Sequence, residues 1–146
     1  MNFNNLDQLY RSVIMDHYKN PRNKGAIEDG SMTIDMNNPT CGDRIRLTLD
    51  VVDNVIKDAK FEGEGCSISM SSASMMTEAV KGHTIEKALH MSQEFSNMML
   101  GESYEITDDM GDIESLSGVS KFPARIKCAT LAWKAFEKGT KEEDDQ

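Results

Sequence analysis

At 146 residues the chain has the length of one domain, and a domain of about 150 residues buries roughly 68–70% of its unfolded surface, so a core forms without disulfide or metal staples. With 16 Lys and Arg against 25 Asp and Glu, the net charge is −9, which repels phosphate backbones and anionic lipid and argues against nucleic acid and membrane as partners. No basic-then-apolar leader opens the chain, and no stretch approaches the ~18 apolar residues of a membrane helix, so the expected location is cytoplasmic, where thiols stay reduced.

The first helix is read from Leu6, Leu9, Tyr10, Val13, Ile14 and His17, which recur at three- and four-residue steps and share one face. Asn5 is placed to cap it, with Gln8 reaching back as in a capping box. The run Asn20-Pro21-Arg22-Asn23-Lys24-Gly25 ends it. A β region follows. Met32 to Met36 reads as a short strand. Ile45, Leu47, Leu49 and Val51 then alternate with Arg44, Arg46, Thr48 and Asp50 in the period-two pattern of a half-buried strand. Asp53-Asn54 makes the turn into a returning strand from Val55 to Phe61.

Helices cover that sheet. One is expected from about Ser69 to Lys81, stopped by Gly82. A second is capped by Thr84 and runs to about Met99 before Gly101. Residues 101–118 are acidic and punctuated by glycine, with one short helical turn at Asp112 to Leu116. The last helix opens near Pro123, a residue suited to a first turn. It carries Ile126, Leu131, Ala135 and Phe136 on its apolar face and stops at Gly139, leaving 141–146 as a disordered charged tail. The expected architecture is a single α+β domain over 1–146, a three-stranded antiparallel sheet covered by helices. The 11 methionines are expected mostly to fill gaps in its core.

The three cysteines, Cys41, Cys66 and Cys128, are too few and too odd in number for a disulfide framework. Cys41 sits in the bend Pro39-Thr40-Cys41-Gly42-Asp43, with a carboxylate two residues on. Cys66 lies where a strand hands over to a helix, with Ser67-Ile68-Ser69 offering a cap, and the positive end of a helix favours its thiolate. Cys128 lies in the second turn of the last helix, near Arg125 and Lys127. Three thiolates and one carboxylate would supply the four ligands of a tetrahedral Zn²⁺, but isolated cysteines are often buried small hydrophobes. With no C-x-x-C pair, spacing leaves both readings open. His17 reads as core packing, and His83 and His90 as surface residues.

Four runs carry a resemblance that covers nearly the whole chain: DHYKNPRNKG (Asp16 to Gly25), NNPTCGDRI (Asn37 to Ile45), FEGEGCSIS (Phe61 to Ser69) and KFPARIKCATLAWKA (Lys121 to Ala135). On these the chain closely resembles the SufU family of the IscU-like proteins of iron–sulfur cluster biogenesis. The resemblance implies that Cys41, Asp43, Cys66 and Cys128 bind one metal ion at an exposed edge of an α+β fold. IscU scaffolds assemble an iron–sulfur cluster on such ligands, whereas SufU-type members look like zinc-dependent sulfur carriers. Lys127 stands where IscU scaffolds carry a His, Phe122-Pro123-Ala124-Arg125-Ile126 replaces their chaperone-binding segment, and 101–118 is an insertion. These departures place the chain with SufU.

The activity implied by resemblance is that of a zinc-dependent sulfurtransferase. Cys41 would accept persulfide sulfur from a SufS-type, pyridoxal-phosphate-dependent cysteine desulfurase and pass it to the SufBCD assembly machinery. The family implies that a His of the desulfurase takes the place of Cys41 on the metal. Arg125 is expected to pair with Asp43 or the site's anionic charge as ligands exchange. The alternative is a scaffold holding iron or an iron–sulfur cluster on the same four ligands.

Overall fold

The computed structural model describes residues 3–28, 30, 32–38 and 42–144. In chain order the elements are α1 (Phe3–Lys19), β1 (Met32–Asn38), β2 (Asp43–Val52), β3 (Val55–Glu64), α2 (Ser67–Val80), α3 (Ile85–Met99), two 3-10 segments (Asp108–Met110 and Ile113–Lys121) and α4 (Pro123–Asp144). The three strands form one antiparallel sheet in the order β1-β2-β3. This is the α+β arrangement expected from the alternation in β2, where Ile45, Leu47 and Leu49 are buried while Arg44 and Arg46 face solvent.

The β2–β3 turn has Asp53 at φ 52° and Asn54 at φ 68°. Two successive left-handed residues make the type I′ turn that matches strand twist, and Asn and Asp tolerate that region best among non-glycines. The outer edge of β3 is covered by the segment after α1, because Phe61 N–H donates to Asn23 O (3.0 Å) and Gly25 N–H to Phe61 O (2.7 Å).

One face of the sheet packs on helices. α2 lies against α1, α4 and β3, and from Ser69 to Val80 every residue except Glu78 is buried. A helix so enclosed must satisfy its own polar side chains. Ser71 Oγ donates to Ser67 O (2.6 Å), Thr77 Oγ1 to Ser74 O (2.8 Å) and Ser72 Oγ to Ala129 O in α4 (2.6 Å). His17 is fully buried, as its place on the apolar face of α1 implied. Its ring nitrogens meet Ser74 Oγ (2.8 Å) and Asp112 Oδ2 (2.9 Å), tying α1 to α2 and to the segment after α3. Thr84 caps α3 by accepting from Lys87 N–H (3.1 Å). Phe95 of α3 stacks on Trp133 of α4 with ring centroids 5.6 Å apart.

Several boundaries differ from those expected. α1 begins at Phe3, so Asn5 lies inside the helix and does not cap it. Residues 108–121 hold far more structure than one turn: Met110, Ile113, Leu116 and Val119 are all buried. They recur every third residue, and in a 3-10 helix side chains at i and i+3 eclipse, so this spacing gives that helix type a single apolar stripe. α4 passes through Gly139 and continues to Asp144, with residues 145 and 146 outside the described part. Gly139 is required for space rather than for a stop. A Cβ there would fall 2.5 Å from Ile34 Cδ1 and 2.5 Å from Ile34 Cγ1, so the glycine lets α4 lie close on β1.

Candidate metal centre

Three of the four expected ligands converge, each from a different element. Asp43 opens β2, Cys66 precedes α2 and Cys128 lies in α4, and one ligand atom of each lies within 4.8 Å of the others. Two sulfurs on a tetrahedral zinc, each at about 2.3 Å, would stand about 3.8 Å apart, so the cluster has the right dimensions. Asp43 and Cys128 are fully buried and Cys66 is half-buried. Cys41 lies outside the described residues. Its flanks are joined, since Gly42 N–H donates to Asn38 O (2.8 Å) and Asn38 pairs with Asp43 in the strand register.

Cys66 does more than the sequence indicated. The expected cap was Ser67-Ile68-Ser69, but Cys66 is itself the N-cap of α2, with an extended backbone and its sulfur accepting from Ser69 N–H (3.5 Å). Burial pushes the Cys66 thiol up, yet the Ser69 amide and hydroxyl, Cys128 and the Ile68 amide together hold it below its ordinary value. Hydrogen bonds to a sulfur anion at a helix N-terminus favour the charged form, which is the form that ligates metals. Its backbone N–H donates to Asp43 Oδ1 (3.1 Å), so one residue orients a thiol and a carboxylate together.

The residues fit a metal ion. Asp43 Oδ2 is buried and has no hydrogen-bond partner among the described residues, whereas buried carboxylate oxygens are ordinarily satisfied. An oxygen so placed, beside two thiols, is the donor that a bound cation would use. Two sulfurs and one oxygen suit zinc or iron rather than the all-oxygen sites of magnesium and calcium.

Arg125 is exposed on the first turn of α4, three residues before Cys128. Among the described residues it forms no ion pair, and the Asp43 carboxylate is held by the Cys66 amide instead. Gly65, which lines the site beside Ser69, has no assigned role in the sequence reading. The signal available was Gly65 immediately before Cys66, with Ser69 three residues after it in the N3 position of the helix.

Residues 9–129 match the family described as the NifU-like N-terminal domain. The chain belongs to that family. It is 68% identical over 145 residues to the zinc-dependent sulfurtransferase SufU of Bacillus subtilis, covering 99% of this chain and 98% of the relative. It is 45% identical over 141 residues to the iron–sulfur cluster assembly scaffold protein IscU of Streptococcus pyogenes, covering 97% of this chain and 88% of the relative. A crystal structure from Fervidobacterium islandicum AW-1, of a candidate iron–sulfur cluster assembly scaffold protein for the SUF system, superposes with a TM-score of 0.84. That protein is 36% identical, and the match covers 90% of this chain and 96% of that one. The resemblance read from the four sequence runs is therefore borne out, as is the fold.

Proposed function

We propose that this chain is a zinc-dependent sulfurtransferase of iron–sulfur cluster biogenesis, acting as a single cytoplasmic domain. The observation that carries the reading is the Asp43, Cys66 and Cys128 cluster, whose buried Oδ2 has no partner among the described residues. Similarity over nearly the whole chain to a zinc-dependent sulfurtransferase supports it. An iron–sulfur assembly role implies a cysteine desulfurase as partner. We identify that partner as a SufS-type, pyridoxal-phosphate-dependent enzyme and the recipient as the SufBCD machinery. No described helix is long and apolar enough to cross a membrane.

In the proposed transfer, the Cys41 thiolate attacks the outer sulfur of the desulfurase persulfide. A new sulfur–sulfur bond forms on Cys41, the old one breaks, and the desulfurase cysteine leaves as a thiolate. No external oxidant or reductant is consumed. Zinc, when bound by Cys41, Asp43, Cys66 and Cys128, supplies a redox-inert centre that holds thiols deprotonated at neutral pH. Within the chain, the Cys66 amide fixes Asp43 and the α2 N-terminus fixes Cys66, so the anchoring ligands keep their places during exchange. Arg125, exposed three residues before Cys128, is proposed to offset anionic charge as ligands change.

The test is incubation with desulfurase and cysteine, followed by mass spectrometry of the intact chain and zinc analysis. One zinc per chain and one added sulfur atom on Cys41 are expected, with the sulfur lost but zinc kept in Cys41→Ala. Unchanged sulfur loading in Cys41→Ala would sink the assignment. The similarity to IscU scaffolds favours a second reading, cluster assembly on the same ligands. Stoichiometric iron and sulfide on anaerobically purified protein would establish it in place of the carrier.

A further inference from the structure

We infer that Gly65 is a positioning residue of the metal centre, whose missing side chain lets the Asp43 carboxylate and the Cys66 thiol converge on one ion. The inference rests on the metal-binding reading above.

Gly65 is not among the glycines with positive φ, so its backbone is one that any residue adopts and the need for glycine is spatial. A Cβ at position 65 would lie 2.5 Å from Asp43 Oδ1 and 3.1 Å from Asp43 Cγ, and closer still to Ser69 Oγ. Gly63, two residues earlier, differs in kind. Its φ is +145° and a Cβ would run into the Arg44 carbonyl oxygen, so it serves the strand pairing of β2 with β3.

The two neighbours of Gly65 differ in their freedom to move. Ser69 can rotate its hydroxyl away, giving up the bond from Ser69 Oγ to Cys66 O (3.1 Å). Asp43 cannot move so easily. It is fully buried, its backbone is fixed in register opposite Asn38, and its Oδ1 is held by the Cys66 amide. A methyl at position 65 therefore displaces the carboxylate, breaks the hydrogen bond that orients it and turns Oδ2 away from the two sulfurs. Ligand-orienting contacts of this kind typically change metal affinity by about 10–100-fold.

The experiment measures zinc affinity by chelator competition for the intact chain, Gly65→Ala, Asp43→Ala and the double variant. Absorption spectra of the cobalt-loaded proteins report ligand geometry directly. Gly65→Ala should weaken zinc binding about 10–100-fold and shift the cobalt spectrum toward that of Asp43→Ala. In the Asp43→Ala background the same change should lose most of its effect on affinity, keeping only the part that comes from displacing the Ser69 hydroxyl from the Cys66 sulfur (3.7 Å). Gly118→Ala, where a Cβ would meet nothing within 4 Å, should bind zinc as the intact chain does. If Gly65→Ala does not fold, the comparison is made in a Ser69→Ala background, where only the Asp43 contact remains. Wild-type affinity in Gly65→Ala, or fully additive losses in the double variant, would overturn the inference while leaving the metal reading intact. An intact chain that binds no zinc would overturn both.

Discussion

Asp43→Asn separates what the carboxylate does for a metal from what it costs the fold. Asp43 is fully buried; Oδ1 accepts from the Cys66 amide at 3.1 Å and Oδ2 has no partner among the described residues. An unsatisfied buried polar group costs about 1–3 kcal/mol, and more when it is charged. Asn keeps an oxygen for the Cys66 amide and puts a neutral amide nitrogen, equally without a partner, where Oδ2 stood. Without metal the two unsatisfied groups largely offset, so the variant should stay within about 1 kcal/mol of the intact chain, or about 2–4 °C in Tm. With zinc the variant should be clearly the less stable. An amide is a far weaker ligand than a carboxylate, and a 100-fold loss of affinity is worth about 2.8 kcal/mol. Thermal unfolding of chelator-stripped and zinc-loaded protein, wild type and variant, checks both halves. If Asp43→Asn lowers Tm by the same amount in both states, the carboxylate is structural and Oδ2 is not a ligand.

Gly139→Ala should destabilise the chain although Ala favours a helix by about 1 kcal/mol. Overpacking against Ile34 at 2.5 Å costs about 1–3 kcal/mol, and Ile34→Val in the same background should recover part of the lost urea midpoint. Thr84→Ala removes the α3 cap and should cost about 1 kcal/mol, with zinc stoichiometry unchanged. Arg46, hydrogen-bonded to Asp35 at 2.7 Å, holds that carboxyl below its ordinary range. The pair's contribution is complete above the ordinary carboxylate range and fades as pH falls through the lowered value. Both groups are exposed, so Arg46→Ala should flatten the acid limb of the stability curve only slightly, and less at high salt.

The parts of the fold legible in sequence were those where local chemistry and tertiary packing ask for the same residue. The alternation in β2, the Asp53-Asn54 turn and the Thr84 cap are of that kind. Asn5 was misleading because a capping residue is permitted, not required, to start a helix, and α1 begins earlier at Phe3. Gly139 suits a helix stop locally, but its use is the close approach of α4 to β1, which no local pattern discloses. In the acidic run after Gly101, Met110, Ile113, Leu116 and Val119 form a buried stripe whose three-residue spacing fits neither the 3.6 period of an α-helix nor the alternation of a strand. For the centre, 24 residues lie between the first two cysteines and 61 between the last two. Such spacings say nothing until a strand end, a helix entry and a helix body are packed together. Family resemblance supplied what spacing could not.

The structure also makes the thiols chemically unequal. Cys128 is fully buried within α4, next to Ala129, whose carbonyl is pinned to α2 by Ser72. A sulfur without solvent access cannot meet a persulfide presented by another protein. Cys66 is half-buried and committed twice, its sulfur to the Ser69 amide and its own amide to Asp43. Loading it with a second sulfur would disturb the α2 cap and the orientation of a neighbouring ligand in one step. Both thiols are thus suited to hold an ion and poorly suited to carry sulfur away from it. That inequality supports the proposal above that Cys41 is the sulfur acceptor.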